Sequence, residues 1–82
     1  MLRKLFTHRL SMPKLYSSDH IIKILTQQGF ICISQKGSHK KYRKTGVPTR
    51  TVIVPAERKE IPFGTFKSIL KQSGLQAEAF NK

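Results

Sequence analysis

Ten consecutive residues concentrate the chemistry of this chain: Gln35-Lys36-Gly37-Ser38-His39-Lys40-Lys41-Tyr42-Arg43-Lys44, one imidazole among five cations, just after a Gly-Ser pair, with no carboxylate in the run. An imidazole gives and takes a proton near neutral pH, and clustered positive charge draws in polyanions. Cleaving RNA without a metal needs both. When a 2′-hydroxyl attacks its neighbouring phosphate, one group removes the hydroxyl proton, another protonates the leaving 5′-oxygen, and cations stabilise the charge on phosphorus. His39 suits a proton-transfer role, and Lys36, Lys41 and Arg43 suit phosphate contacts. Gly37 lets a backbone approach a phosphate, and Ser38 offers a hydrogen bond. The plainer reading is a surface histidine on a solvated basic face, with Gly37-Ser38 serving only as a hairpin turn.

Other chemistries find less support. Ser38 as a nucleophile has no acidic residue near it in sequence to orient a histidine. His8, His20, His39 and Cys32 lack close metal-ligand spacing, so neither a metal nor another cofactor is expected. Glu57 and Glu60 flank Lys59 in what reads as a charged loop, and no glycine-rich nucleotide loop is present.

The elements that must position His39 follow from pattern. Ser17 and Ser18 offer an N-cap, Ile21, Ile22 and Leu25 recur at helical spacing, and Gly29 supplies a stop, which predicts a helix over 18–28. Phe30 to Gln35 is rich in β-branched and aromatic residues and reads as a strand. Lys36-Gly37-Ser38 turns the chain, His39 to Lys44 returns antiparallel, and Thr45-Gly46-Val47-Pro48 turns it again into Arg50 to Val54. Pro62 suits a helix's first turn, Phe66, Ile69 and Leu70 fall on one stripe, and Gly74 closes it. Gln76 to Lys82 reads as a short terminal helix or a frayed tail. The fold class is therefore α+β, α-β-β-β-α, with both helices on one face of a three-stranded antiparallel sheet. Strand alternation sends His39, Lys41 and Arg43 to the open face and Tyr42 inward. The same parity separates Lys40 from Lys41 and favours Lys41 for the open face.

Composition narrows the partners. Sixteen Lys and Arg oppose four acids in 82 residues, a formal charge of +12. That is the footprint of a nucleic-acid binder, although a membrane surface or an acidic protein would also attract it. Residues 1–11 read as a disordered N-terminal extension. Without them 13 basic residues still face the same four acids, so the charge belongs to the domain at 12–82. Cys32, between two isoleucines, reads as a buried core thiol in a reducing compartment. No apolar run reaches the length of a membrane span, and a cytoplasmic protein is expected.

Met12-Pro13-Lys14-Leu15, Gln28-Gly29-Phe30, Gln35-Lys36-Gly37-Ser38-His39, Val52-Ile53-Val54-Pro55 and the run from Pro62-Phe63-Gly64-Thr65 to Gln72-Ser73-Gly74-Leu75 follow one another in an order and spacing that resemble the HicA family of bacterial toxins. The resemblance implies a double-stranded-RNA-binding-domain-like fold and an mRNA interferase whose catalytic residue is the histidine of Gly-Ser-His, here His39. It also implies a HicB-like antitoxin as partner, with operator DNA reached only indirectly through it. Two rivals remain from the residues alone: a non-catalytic double-stranded-RNA-binding module of the same topology, and a basic adaptor for an acidic protein.

Overall fold

The computed structural model describes residues 14–82; the N-terminal extension expected at 1–11, and His8 within it, lie outside them. Helix α1 spans Ser18–Gln27. Ser17 is its N-cap, its side-chain oxygen accepting from the His20 amide at 3.1 Å, and Asp19 in the first turn suits the positive end of the helix dipole. Ser18 does something else. It is buried, its hydroxyl donates to the Pro55 carbonyl at 2.6 Å and accepts from the Arg58 amide at 2.9 Å.

Three six-residue strands follow as an antiparallel meander in the order β1-β2-β3: β1 Ile31–Lys36, β2 His39–Lys44 and β3 Arg50–Pro55. Helix α2 spans Phe63–Ser73, with Pro62 at its N-cap. It ends at Gly74, whose φ of 74° lies in the left-handed region that glycine adopts without a Cβ penalty. The C-terminal residues are not a frayed tail: Ala77–Phe80 form a 3₁₀ helix. Phe80 is fully buried, edge-on to Phe66 at 5.3 Å, and its carbonyl lies 2.6 Å from His20 Nε2.

Both helices pack on one sheet face. Tyr42, Val52 and Val54 point inward to meet Ile21, Ile24 and Leu25 of α1 and Phe66 and Ile69 of α2. This is the expected α-β-β-β-α arrangement, and it leaves the other face of the sheet open.

Two expectations about β1 change. Cys32 is exposed, not a core thiol, and every residue of β1 is exposed. The helices make their main sheet contacts with β3, so β1, at the opposite edge, extends past their cover. The pairing of β1 with β2 also shifts between Cys32 and Ser34, which makes Ile33 the extra residue of a β-bulge. The bulge sets Cys32 opposite Tyr42 and Ile31 opposite Arg43, turning Ile31 onto the open face at 68% exposure.

Candidate functional site on the open sheet face

The Gly37-Ser38 pair is a two-residue hairpin loop. Gly37 has φ 59°, and a glycine in the left-handed region at the first central position is the requirement of the II′-type hairpin turn. A Cβ there would meet nothing within 4 Å, so the backbone angle, not crowding, demands glycine. The loop is tied down from both sides. Gln35 Nε2 donates to the Gly37 carbonyl at 3.2 Å, and the Ala56 amide donates to the Ser38 carbonyl at 2.6 Å. The second bond joins the hairpin to the chain leaving β3 and fixes where His39 begins its strand.

His39 is exposed on the open face, paired with Lys36 on one side and Pro55 on the other. Lys41 follows two residues along the same face, opposite Ser34 and Ile53. A cleft of about 240 Å³ lies across the three strands, and Lys36, His39, Lys41 and Ile53 line it; Lys40 lines it too, despite its opposite parity. Arg43 sits farther along, its Nε donating to Thr51 Oγ1 at 3.3 Å. It shares the face but does not line this cleft. Of the sequence-predicted residues, His39, Lys36 and Lys41 therefore converge, Gly37 and Ser38 form the turn that presents them, and Arg43 is a separate cation on the same track.

His39 also lines a second, larger cleft of about 380 Å³ on its other side, between β3 and α2. Ser38, Pro55 and Arg58 border it, and α2 contributes Thr65, Ser68 and Gln72. The sequence reading passed over Arg58 as part of a charged loop. The structure holds that loop firmly: Ser18 N donates to the Arg58 carbonyl at 2.9 Å while Ser18 Oγ accepts from the Arg58 amide. Glu57, next to Arg58, has φ 58°, a backbone angle that non-glycine residues rarely keep unless their surroundings enforce it. The α2 residues did leave a signal, because 65, 68 and 72 form a polar stripe at helical spacing beside the apolar stripe of Phe66 and Ile69.

Below the open face, burial pushes the Tyr42 phenol above its ordinary pKa of 10.0, and the neighbouring Cys32 thiol adds to the rise. Tyr42 is thus a neutral inward anchor for β2. Among the described residues, no cluster of three His, Cys, Asp or Glu is placed to hold a metal ion, and no helix is long and apolar enough to cross a membrane.

His39 lines both clefts, with lysines in one and an arginine in the other; an imidazole can move a proton and cations can attract a phosphate. No curated protein matches the chain. The family described as HicA toxin of bacterial toxin-antitoxin matches residues 18–75, from the start of α1 to just beyond the end of α2, and the chain belongs to that family: it is the toxin of a toxin-antitoxin pair, with an antitoxin as its partner.

Proposed function

We propose that this toxin is an endoribonuclease that cleaves mRNA and so halts translation, with His39 as general acid or base and no metal in the chemical step. One observation carries the reading: His39 stands exposed between a lysine-lined cleft and an arginine-bordered cleft on the open sheet face. In the reaction the 2′-oxygen forms a bond to phosphorus as the bond from phosphorus to the 5′-oxygen breaks. The proton leaves the 2′-hydroxyl and a proton arrives at the 5′-oxygen, giving a 2′,3′-cyclic phosphate and a 5′-hydroxyl. His39 performs one of these transfers. Lys36 and Lys41 balance the charge that grows on the phosphoryl oxygens, and Arg43 holds a phosphate farther along the strand.

In this reading the antitoxin is HicB-like, operator DNA is contacted only through it, and the toxin works in the cytoplasm where message is found. The test is incubation of the purified protein with a long RNA in excess chelator, followed by analysis of the ends. Cutting with cyclic or 3′-phosphate ends, blocked by a 2′-deoxy substitution at the scissile nucleotide, is the expected result. An absolute requirement for a divalent ion, or cutting that tolerates the deoxy substitution, would overturn it.

A further inference from the structure

The cleft between β3 and α2 has a feature that phosphate binding does not require. Its floor is apolar, made by Ile53, Pro55 and Ala56, whereas its α2 wall is polar. Gln72 is held in one orientation there, because its Oε1 accepts from the Ile53 amide at 3.0 Å on the outer edge of β3. That bond satisfies one amide of the strand edge, and among the described residues neither Nε2 hydrogen is engaged, so both can serve a ligand. One turn earlier, Ser68 Oγ donates to the Gly64 carbonyl at 3.3 Å, so its oxygen remains an acceptor. Thr65 supplies a hydroxyl of either sense. A wall with donor beside acceptor over an apolar floor complements the edge and face of a nucleobase. A phosphate would call for donors alone.

We propose that this cleft is a nucleotide subsite: it takes one base of a single-stranded RNA next to the phosphate at His39, with Gln72 and Thr65 reading the base edge and Arg58 holding the adjoining phosphate. The inference rests on the ribonuclease reading and deepens it by naming which residues set the sequence preference of the cut. The cleft's size, about 380 Å³, falls in the range of about 300 to 1,000 Å³ usual for sites that enclose a small molecule. Its position also fits, since His39 and Ile53 line both this cleft and the lysine-lined one, so a strand crossing from one to the other would set a base on one side and its phosphate on the other.

The probe is the set of sixteen 2′-O-methyl dinucleotides, which lack the attacking hydroxyl and bind uncut. They are titrated into isotope-labelled protein while the Gln72 side-chain amide and the Thr65 and Ala56 backbone amides are followed by NMR. The expected result is movement of these signals and a spread in affinity of about 5- to 150-fold between the best and worst base at one of the two positions. Gln72→Glu keeps an oxygen for the Ile53 amide but removes the donor, and Thr65→Val keeps the shape but removes the hydroxyl. Each should narrow the spread or move it to another base. Shifts confined to Lys36, Lys41 and Arg43 with equal affinities for every base would overturn the subsite, as would a full spread retained in both variants. A base-dependent response in the cleft of a protein that leaves long RNA intact would instead uphold the subsite and strike the ribonuclease reading alone.

Discussion

Replacing His39 by Ala separates chemistry from structure, because the side chain is exposed and its strand is held by backbone pairing to Lys36 and Pro55. Neither ladder uses the imidazole. Removing an exposed side chain with no packing role changes stability by no more than about 0.5 kcal/mol, which in a domain this small moves the melting temperature by roughly 2 to 4 °C. Removing a general acid or base costs on the order of 10² to 10⁴ in rate, about 2.7 to 5.4 kcal/mol of barrier. The two expectations differ enough for one pair of measurements to resolve them: single-turnover cleavage of a labelled RNA at saturating protein, and thermal unfolding of the same preparation. His39→Gln adds a control, since it retains hydrogen bonding but cannot titrate, and it should be as slow as the alanine variant. A variant that melts far below the parent would make His39 a structural residue. A folded variant that cuts at the parental rate would remove it from the mechanism, and a fast glutamine variant would reduce its role to positioning.

RNA affinity should fall steeply with salt, each phosphate contact contributing roughly −0.7 to the logarithmic slope on a single strand, and replacing Lys41 and Arg43 together should flatten that slope by about one to two units; an unchanged slope in a binding titration would move the RNA track elsewhere. Ser18→Ala should destabilise the fold by about 1 to 3 kcal/mol in denaturant titration, because it orphans the Pro55 carbonyl and the Arg58 amide at a buried site, and it should slow cleavage by loosening the Arg58 loop. Tyr42 gives a pH dependence with a definite sign. Its folded pKa lies above the unfolded value near 10.0, so its contribution is complete below that pH and is lost as pH rises through the folded value. Unfolding free energies measured into the alkaline range should therefore decline more steeply for the parent than for Tyr42→Phe.

What the sequence makes legible is what local chemistry decides. Ser17 caps α1, Gly74 ends α2, and Gly37-Ser38 makes the hairpin, each through a requirement met within a few residues. His39, Lys41 and Arg43 reach the open face by strand parity alone. The bulge at Ile33 and the exposure of Cys32 depend instead on how far the helices extend over the sheet, which no pattern within β1 records. Arg58 shows the same limit more sharply. Its loop has no periodicity, and the residue that pins it, Ser18, lies forty positions earlier. The stripe of Thr65, Ser68 and Gln72 is visible as a polar helix face, but only the packing of α2 beside β3 shows that it borders the cleft of His39.

The dimensions of the open face also weigh between cutting single-stranded message and binding a duplex. Three strands at about 4.8 Å spacing and six residues at about 3.4 Å each make a platform of roughly 10 by 20 Å. A double-stranded-RNA-binding module spans about 16 base pairs, recognising shape through phosphates and 2′-hydroxyls across successive minor grooves. The sheet face alone covers a few nucleotides at most, so a duplex would have to be held by the loops and helices as well. The face also carries Ile31 and Ile53 exposed among its cations, and apolar side chains are of use to unstacked bases but not to the phosphate rails of a duplex. In the proposed reading His39 stands where a splayed strand would cross from one cleft to the other, and a strand held on both sides of the cut would meet the condition for bringing its 2′-hydroxyl into line with the phosphate. A duplex lying over the same face would keep its bases stacked and its backbone in A-form geometry, away from that alignment.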